Sequence, residues 1–189
     1  MGEKRMDKKQ LVTISKYLSK HLRHQPEALG LTLAEGGWVD VTALLEACTR
    51  HGFPISRDQL DEVVRTSDKK RFAFDDGGTR IRANQGHSTP VDLQLQPVEP
   101  PDQLYHGTTK ANLTQVLAFG LLKMKRHHVH LSHDVETALK VGRRHGAPII
   151  LAIDAAAMHA KGHVFYCSVN GVWLTDHVPA EFLRVIDEK

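Results

Sequence analysis

The chain has 189 residues, room for one domain or two small ones, and its 41% hydrophobic and 25% charged residues suit a globular protein with a buried core. Its longest apolar run, residues 147–153, is too short to cross a bilayer, and no signal-type segment follows the start. A cytoplasmic protein with no membrane partner is expected. Cys48 and Cys167 stand far apart in apolar surroundings, which excludes a disulfide framework and a cysteine metal site and leaves two reduced core thiols. Lys and Arg exceed Asp and Glu by 25 to 22, a formal charge of +3 that permits a polyanionic partner without demanding one.

Leu11, Ile14, Leu18 and Leu22 recur at three- and four-residue spacing and predict an amphipathic helix over residues 9–24. Lys16, Lys20 and Arg23 lie off that stripe. Pro26 forbids continuation, so Arg23 and His24 fall in the last turn, as plain capping charges or as cations projected from a fixed scaffold. Trp38-Val39 reads as a short strand, and Asp40 caps a helix running towards Gly52. Ser56-Arg57-Asp58-Gln59 has the form of a capping box and opens another helix. Residues 69–74 and 79–83 then make a β-hairpin around Asp75-Asp76-Gly77-Gly78. Helix, strand, helix, helix and hairpin is the order of a winged helix. Its hairpin concentrates Lys69, Lys70, Arg71, Arg80 and Arg82, a solvated basic ribbon or a phosphate-contacting one; Lys69, Lys70 and Arg82 are the expected RNA-binding residues.

Pro90, Pro97, Pro100 and Pro101 mark residues 89–102 as a linker, which divides the chain into an N-terminal lobe over 1–88 and a C-terminal lobe over 103–189. The second lobe reads as mixed α and β. A strand starts at residues 103–106, a helix over 113–119 ends at Gly120, and a second helix spans 135–144. A buried strand follows at 149–153, a helical turn at 155–160, and strands at 164–169 and 172–175 meet at Asn170-Gly171.

Residues 123–132 have the length and alternation of a strand. Arg126, His128, His130 and Ser132 would share one face with Val129 and Leu131 behind, either as the floor of an anion site or as an edge strand guarded by basic residues. Thirteen histidines invite a metal, and His128 and His130 share a face, but no carboxylate or cysteine completes a set; no metal is expected. Leu104-Tyr105-His106-Gly107-Thr108 puts a His, a Gly open to ligand approach and a hydroxyl at a strand end. Gly142-Arg143-Arg144-His145-Gly146 is either a helix cap or a pyrophosphate grip.

Ser15-Lys16-Tyr17-Leu18-Ser19 with Leu22-Arg23-His24, Lys70-Arg71-Phe72, residues 81–88, residues 104–108, residues 124–132 and Asn170-Gly171-Val172-Trp173-Leu174-Thr175 occur in one order along nearly the whole chain. Together they strongly resemble the tRNA/RNA 2′-phosphotransferase family of KptA type. The resemblance implies an α+β protein with an N-terminal winged-helix lobe that holds RNA and a C-terminal ADP-ribosyltransferase-like mixed β lobe that holds NAD. Family members remove an internal 2′-phosphate left at tRNA splice junctions by transferring it to NAD, through an RNA-2′-phospho-ADP-ribose intermediate. The family's essential set falls on Arg23, His24, Arg71 and Arg126. Its NAD-lobe signature falls on His106, His130 and Val172, and Gly107, Thr108, Ser132 and Asn170 of the same motifs complete the expected NAD-binding residues. Protein-modifying ADP-ribosyltransferases carry a Glu in the last motif; this chain has no acid beside Val172, which counts against protein modification.

The implied partners are RNA bearing an internal 2′-phosphate and NAD as co-substrate, with the protein acting as a monomer and no metal needed. Two anions in one site repel unless fixed cations neutralise them, which gives the arginines a physical reason. Two other readings are an ADP-ribosyltransferase that caps terminal phosphates of RNA or DNA, and a non-catalytic nucleic-acid-binding protein.

Overall fold

Asp7 begins the first helix, α1 (Lys8–Arg23), with a reciprocal capping box: its carboxylate accepts from the Gln10 amide at 2.8 Å while the Gln10 side chain accepts from the Asp7 amide at 3.0 Å. The computed structural model describes residues 6–67, 69–143 and 147–186, and the chain divides into two units, Met1–Gln94 and Leu95–Lys189.

In the first unit, α1 buries Ile14, Leu18 and Leu22. A 3-10 turn at Pro26–Leu29 stops at Gly30, whose φ of +67° only glycine adopts cheaply. Strand β1 (Val39–Asp40) leads into α2 (Val41–Arg50), capped by Asp40, and Ser56 with Gln59 boxes the start of α3 (Arg57–Thr66). Strands β2 (Phe72–Phe74) and β3 (Arg80–Ala83) form the expected hairpin with Phe74 opposite Ile81, and β1 pairs with β3, giving the antiparallel order β1-β3-β2. Leu18, Leu22, Leu44, Leu60 and Ile81 form a core without exposure. The hairpin is shorter than its sequence suggests. Lys70 takes φ +38° and its amide donates to the Ser67 carbonyl, so residues 69–71 are a turn before β2. Part of the stretch read as a linker belongs to this unit: Leu93 is buried, and the Gly36 amide donates to the Asp92 carbonyl at 2.9 Å.

The second unit carries β4 (Gln103–Thr109), α4 (Lys110–Phe119), β5 (Leu121–Leu122), β6 (Val129–Leu131), α5 (Val135–Gly142), β7 (Pro148–Asp154), α6 (Ala155–Ala160), β8 (Phe165–Cys167), β9 (Trp173–Thr175), β10 (His177–Val178) and β11 (Leu183–Ile186). They pair antiparallel in the orders β11-β7-β4, β6-β9-β8 and β10-β5. Leu104, Val129, Leu131, Leu151, Ile153, Met158 and Phe165 make a second core.

The strand expected over residues 123–132 is cut to Val129–Leu131. Met124 has φ +53° and the Arg126 amide donates to the Lys123 carbonyl at 3.0 Å, a turn that withdraws Arg126 and His128 from any ladder. Cys48 is buried, but Cys167 is only half-buried. The helix α5 is described to Gly142; Arg144, His145 and Gly146 of the basic segment lie outside the described residues. Among the described residues no helix is long and apolar enough to cross a membrane. Mixed α and β structure with small antiparallel sheets is thus the architecture of both units.

Candidate functional site

The first unit gathers its cations at the C-terminal end of α1. Arg23, the last helical residue, donates through Nη2 to the Arg71 carbonyl at 3.4 Å and lies over the Phe72 ring, 5.9 Å from its centroid. Arg71 donates in turn through Nη1 to Ser15 Oγ at 3.4 Å. Burial lowers the Arg71 pKa, the mark of a guanidinium already stripped of part of its water; an arginine stays charged nonetheless. His24 Nδ1 lies 2.9 Å from Ser88 Oγ, and the Ser88 amide donates to the Arg23 carbonyl at 2.9 Å, so the loop after the hairpin is tied to the helix end at two points. That second bond also satisfies a terminal helix carbonyl. A cleft of about 700 Å³ opens here, lined by Arg23, His24, Lys69 and Arg71 together with the outer face of α1. Among the described residues lining it there is no carboxylate.

Not every expected RNA-binding residue joins this cleft. Lys69 lines it, whereas Arg82 does not: its guanidinium stacks 4.5 Å from the Trp38 centroid and donates to the Gly36 carbonyl. Lys70 is held by its backbone, its carbonyl accepting from Asn84 Nδ2 at 2.6 Å, with an exposed side chain.

In the second unit, Leu104, His106 and Thr108 share one face of β4. His106 Nδ1 lies 2.9 Å from the His130 carbonyl. A carbonyl can only accept, so Nδ1 carries the proton and Nε2 keeps a lone pair. Burial pushes the His106 pKa below its ordinary value, against the opposing effect of the His130 bond and with a smaller push from the charge of Arg126, which favours the uncharged ring. Arg126, although on the turn, reaches back to donate to His130 Nδ1 at 3.4 Å. Ser132 and Tyr105 exchange backbone hydrogen bonds at 2.8 and 2.7 Å, which fastens the end of β6 to β4. The ladder between β6 and β9 ends at the Leu131–Trp173 pair, with Ser132 and Val172 the next residue on each strand. Asn170 and Val172 sit in the β8–β9 turn, where Ser168 Oγ contacts the Asn170 side-chain oxygen at 2.7 Å and accepts from the Val172 amide at 3.1 Å.

Gly107 has a packing reason that its motif does not suggest. A Cβ there would lie against the Ala138 carbonyl oxygen and 3.0 Å from Gly142 Cα, so its bare backbone makes room for α5. The histidines near β6 also divide their work: His128 packs edge-on against Tyr166 with centroids 5.3 Å apart, and His133 pairs with Asp134 at 3.0 Å. Among the described residues no three His, Cys, Asp or Glu side chains converge as metal ligands would.

Sequence reasoning missed Ser15 and Ser88, the hydroxyls that hold Arg71 and His24. Ser88 stood in a motif but read as a polar turn, and nothing local joins residues separated by 64 positions.

A family model for RNA 2′-phosphotransferase, Tpt1 / KptA family, matches residues 9–177. The chain belongs to this family. A probable RNA 2′-phosphotransferase of Nostoc punctiforme is 59% identical over 181 residues, covering 96% of this chain and 100% of that protein. One from Streptomyces coelicolor is 58% identical over 95% of this chain and 97% of its own, and one from Burkholderia lata is 51% identical over 93% and 91%. The Tpt1 / KptA match runs through both units and takes in Arg23, His24, Arg71, His106, Arg126, His130 and Val172.

Proposed function

We propose that the protein is an NAD-dependent RNA 2′-phosphotransferase, with a winged-helix lobe for RNA and an ADP-ribosyltransferase-like lobe for NAD. The observation that carries this reading is the convergence of Arg23, His24 and Arg71 on a cleft without carboxylates among its described lining residues. Such a site suits a phosphate monoester, which carries more charge than a diester and rewards a fork of fixed donors. The helix–strand–helix–helix–hairpin order of the first unit supports the winged-helix reading.

NAD supplies the electrophile, the anomeric carbon of its nicotinamide ribose. The residues of the second unit fit a ribose: a neutral His106 with an Nε2 lone pair accepts from a sugar hydroxyl, which an imidazolium could not do. Arg23 and Arg71 hold the RNA 2′-phosphate, already anionic and in need of positioning rather than a base. A phosphate oxygen bonds to the anomeric carbon, the glycosidic bond breaks, and nicotinamide leaves with the bonding electrons. In the RNA-2′-phospho-ADP-ribose so formed, the neighbouring ribose hydroxyl attacks phosphorus. The bond from phosphorus to the RNA 2′-oxygen breaks, giving 2′-hydroxyl RNA and ADP-ribose 1″,2″-cyclic phosphate. His24, with Nδ1 engaged by Ser88, moves the proton in this second step, while Arg71 and Arg126 stabilise charge on the phosphorus oxygens.

His24→Ala or Arg126→Ala enzyme given 2′-phosphorylated RNA and NAD is expected to accumulate ADP-ribosylated RNA, resolved on a denaturing gel. Turnover equal to wild type would remove both residues from the mechanism.

A further inference from the structure

The cleft of the first unit extends well past the residues that the reaction uses. Lys8, Lys16 and Lys20 line it along α1, on the same side as Arg23. At 100° per residue these four positions fall within about 120° of helix circumference. At 1.5 Å per residue, Lys8 stands about 22 Å from Arg23 along the axis. Between them the cleft is lined on α1 by the uncharged Val12, Ser15 and Ser19, and Ser67, which also lines it, has a buried hydroxyl with no partner among the described residues. Some exposed cations elsewhere are placed differently: Arg57, Lys140 and Lys161 each sit on a carboxylate, at 2.8, 2.7 and 2.9 Å. A row of like charges lined by no described carboxylate repels itself and is relieved by an external polyanion.

We propose that this face of α1 is a track for the ribose-phosphate backbone of the RNA strand flanking the 2′-phosphate. The inference rests on the reading of the protein as an RNA 2′-phosphotransferase and makes its substrate a strand of several nucleotides rather than an isolated phosphorylated nucleotide. At the 3.4 Å rise of a stacked strand, about 22 Å spans roughly six phosphates. Of the hairpin cations, Lys69 and Arg71 line the same cleft, while Arg82 takes no part, being engaged by Trp38.

The test compares wild type, Lys8→Gln/Lys16→Gln/Lys20→Gln, and a variant that loses equal charge off the cleft, Lys9→Gln/Arg50→Gln/Lys110→Gln. Each is given a 12-nucleotide single-stranded RNA with one internal 2′-phosphate, and a dinucleotide with the same phosphate. In wild type and the off-cleft variant, kcat/KM should favour the longer RNA; in the track variant this ratio should fall about tenfold. Without NAD, the salt dependence of 12-mer binding should lose about two units of log–log slope in the track variant, as expected for three fewer phosphate contacts on a single strand. Equal ratios and slopes in the two variants would overturn the track. If wild type converted neither RNA, the reaction assigned above would fail, and the binding slopes would decide the track on their own.

Discussion

Single side chains here do work that depends on what holds them. Replacing Arg71 by Lys keeps the charge but loses the planar fork that, bonded to Ser15, would hold the proposed phosphate; a fall in kcat on 2′-phosphorylated RNA on the order of 30-fold, about 2 kcal/mol, is expected. His106 gives a pH signature. Its folded pKa is depressed by burial, so the unfolded chain binds the proton more readily, and stability rises with pH through the window between the two values. The contribution is complete above the ordinary value of 6.5 and is lost as pH falls through the folded pKa; His128, also depressed by burial, acts in the same sense. Urea unfolding at pH 7.5 and 5.5 should show a smaller loss in His106→Asn, which keeps a donor for the His130 carbonyl but cannot titrate. An equal loss in both proteins would contradict this assignment. The sequence offered Arg23, His24, Arg71 and Arg126 through their motifs, but not the hydroxyls that aim two of them, because Ser15 and Ser88 are brought up by packing of distant segments.

Elements whose signals are local were legible, and those fixed by distant partners were not. The capping box at Ser56 lies within four residues of sequence and appears as read, whereas the equally local box at Asp7 was not read. Ser56→Ala should cost about 1 kcal/mol of stability in denaturant titration, the usual value of an N-cap hydroxyl. Strand β11 was not foreseen, since its pairing of Leu183 with Ile153 rests on a neighbour thirty positions away. Residues 123–132 misled through their alternation: a turn closed by Lys123 and Arg126 outweighs the period-two pattern, yet Arg126 still comes to His130 from that turn. Gly107 shows the same limit, its role being set by α5. Gly107→Ala must displace the helix backbone, so a loss of roughly 2–3 kcal/mol is expected in thermal or urea unfolding, while Ala at a site with open space would not produce it.

At the scale of the molecule, a net charge of only +3 conceals a local asymmetry, with several cations gathered on one cleft and others, such as Arg57 and Lys140, paired with carboxylates. Each unit closes its own core, and each holds candidate site residues: a cleft lined by cations in one, a buried histidine near an arginine in the other. Membership of the Tpt1 / KptA family spans both, which supports a reaction that needs both. The most direct measurement is to incubate the protein, with EDTA present, with an oligoribonucleotide bearing one internal 2′-phosphate, with and without NAD, and to resolve RNA and nucleotide products. The account predicts conversion to 2′-hydroxyl RNA only with NAD, with one nicotinamide and one ADP-ribose cyclic phosphate released per phosphate removed. RNA that keeps its 2′-phosphate in the presence of NAD, or that ends as a stable ADP-ribosylated species in the wild-type reaction, would contradict it.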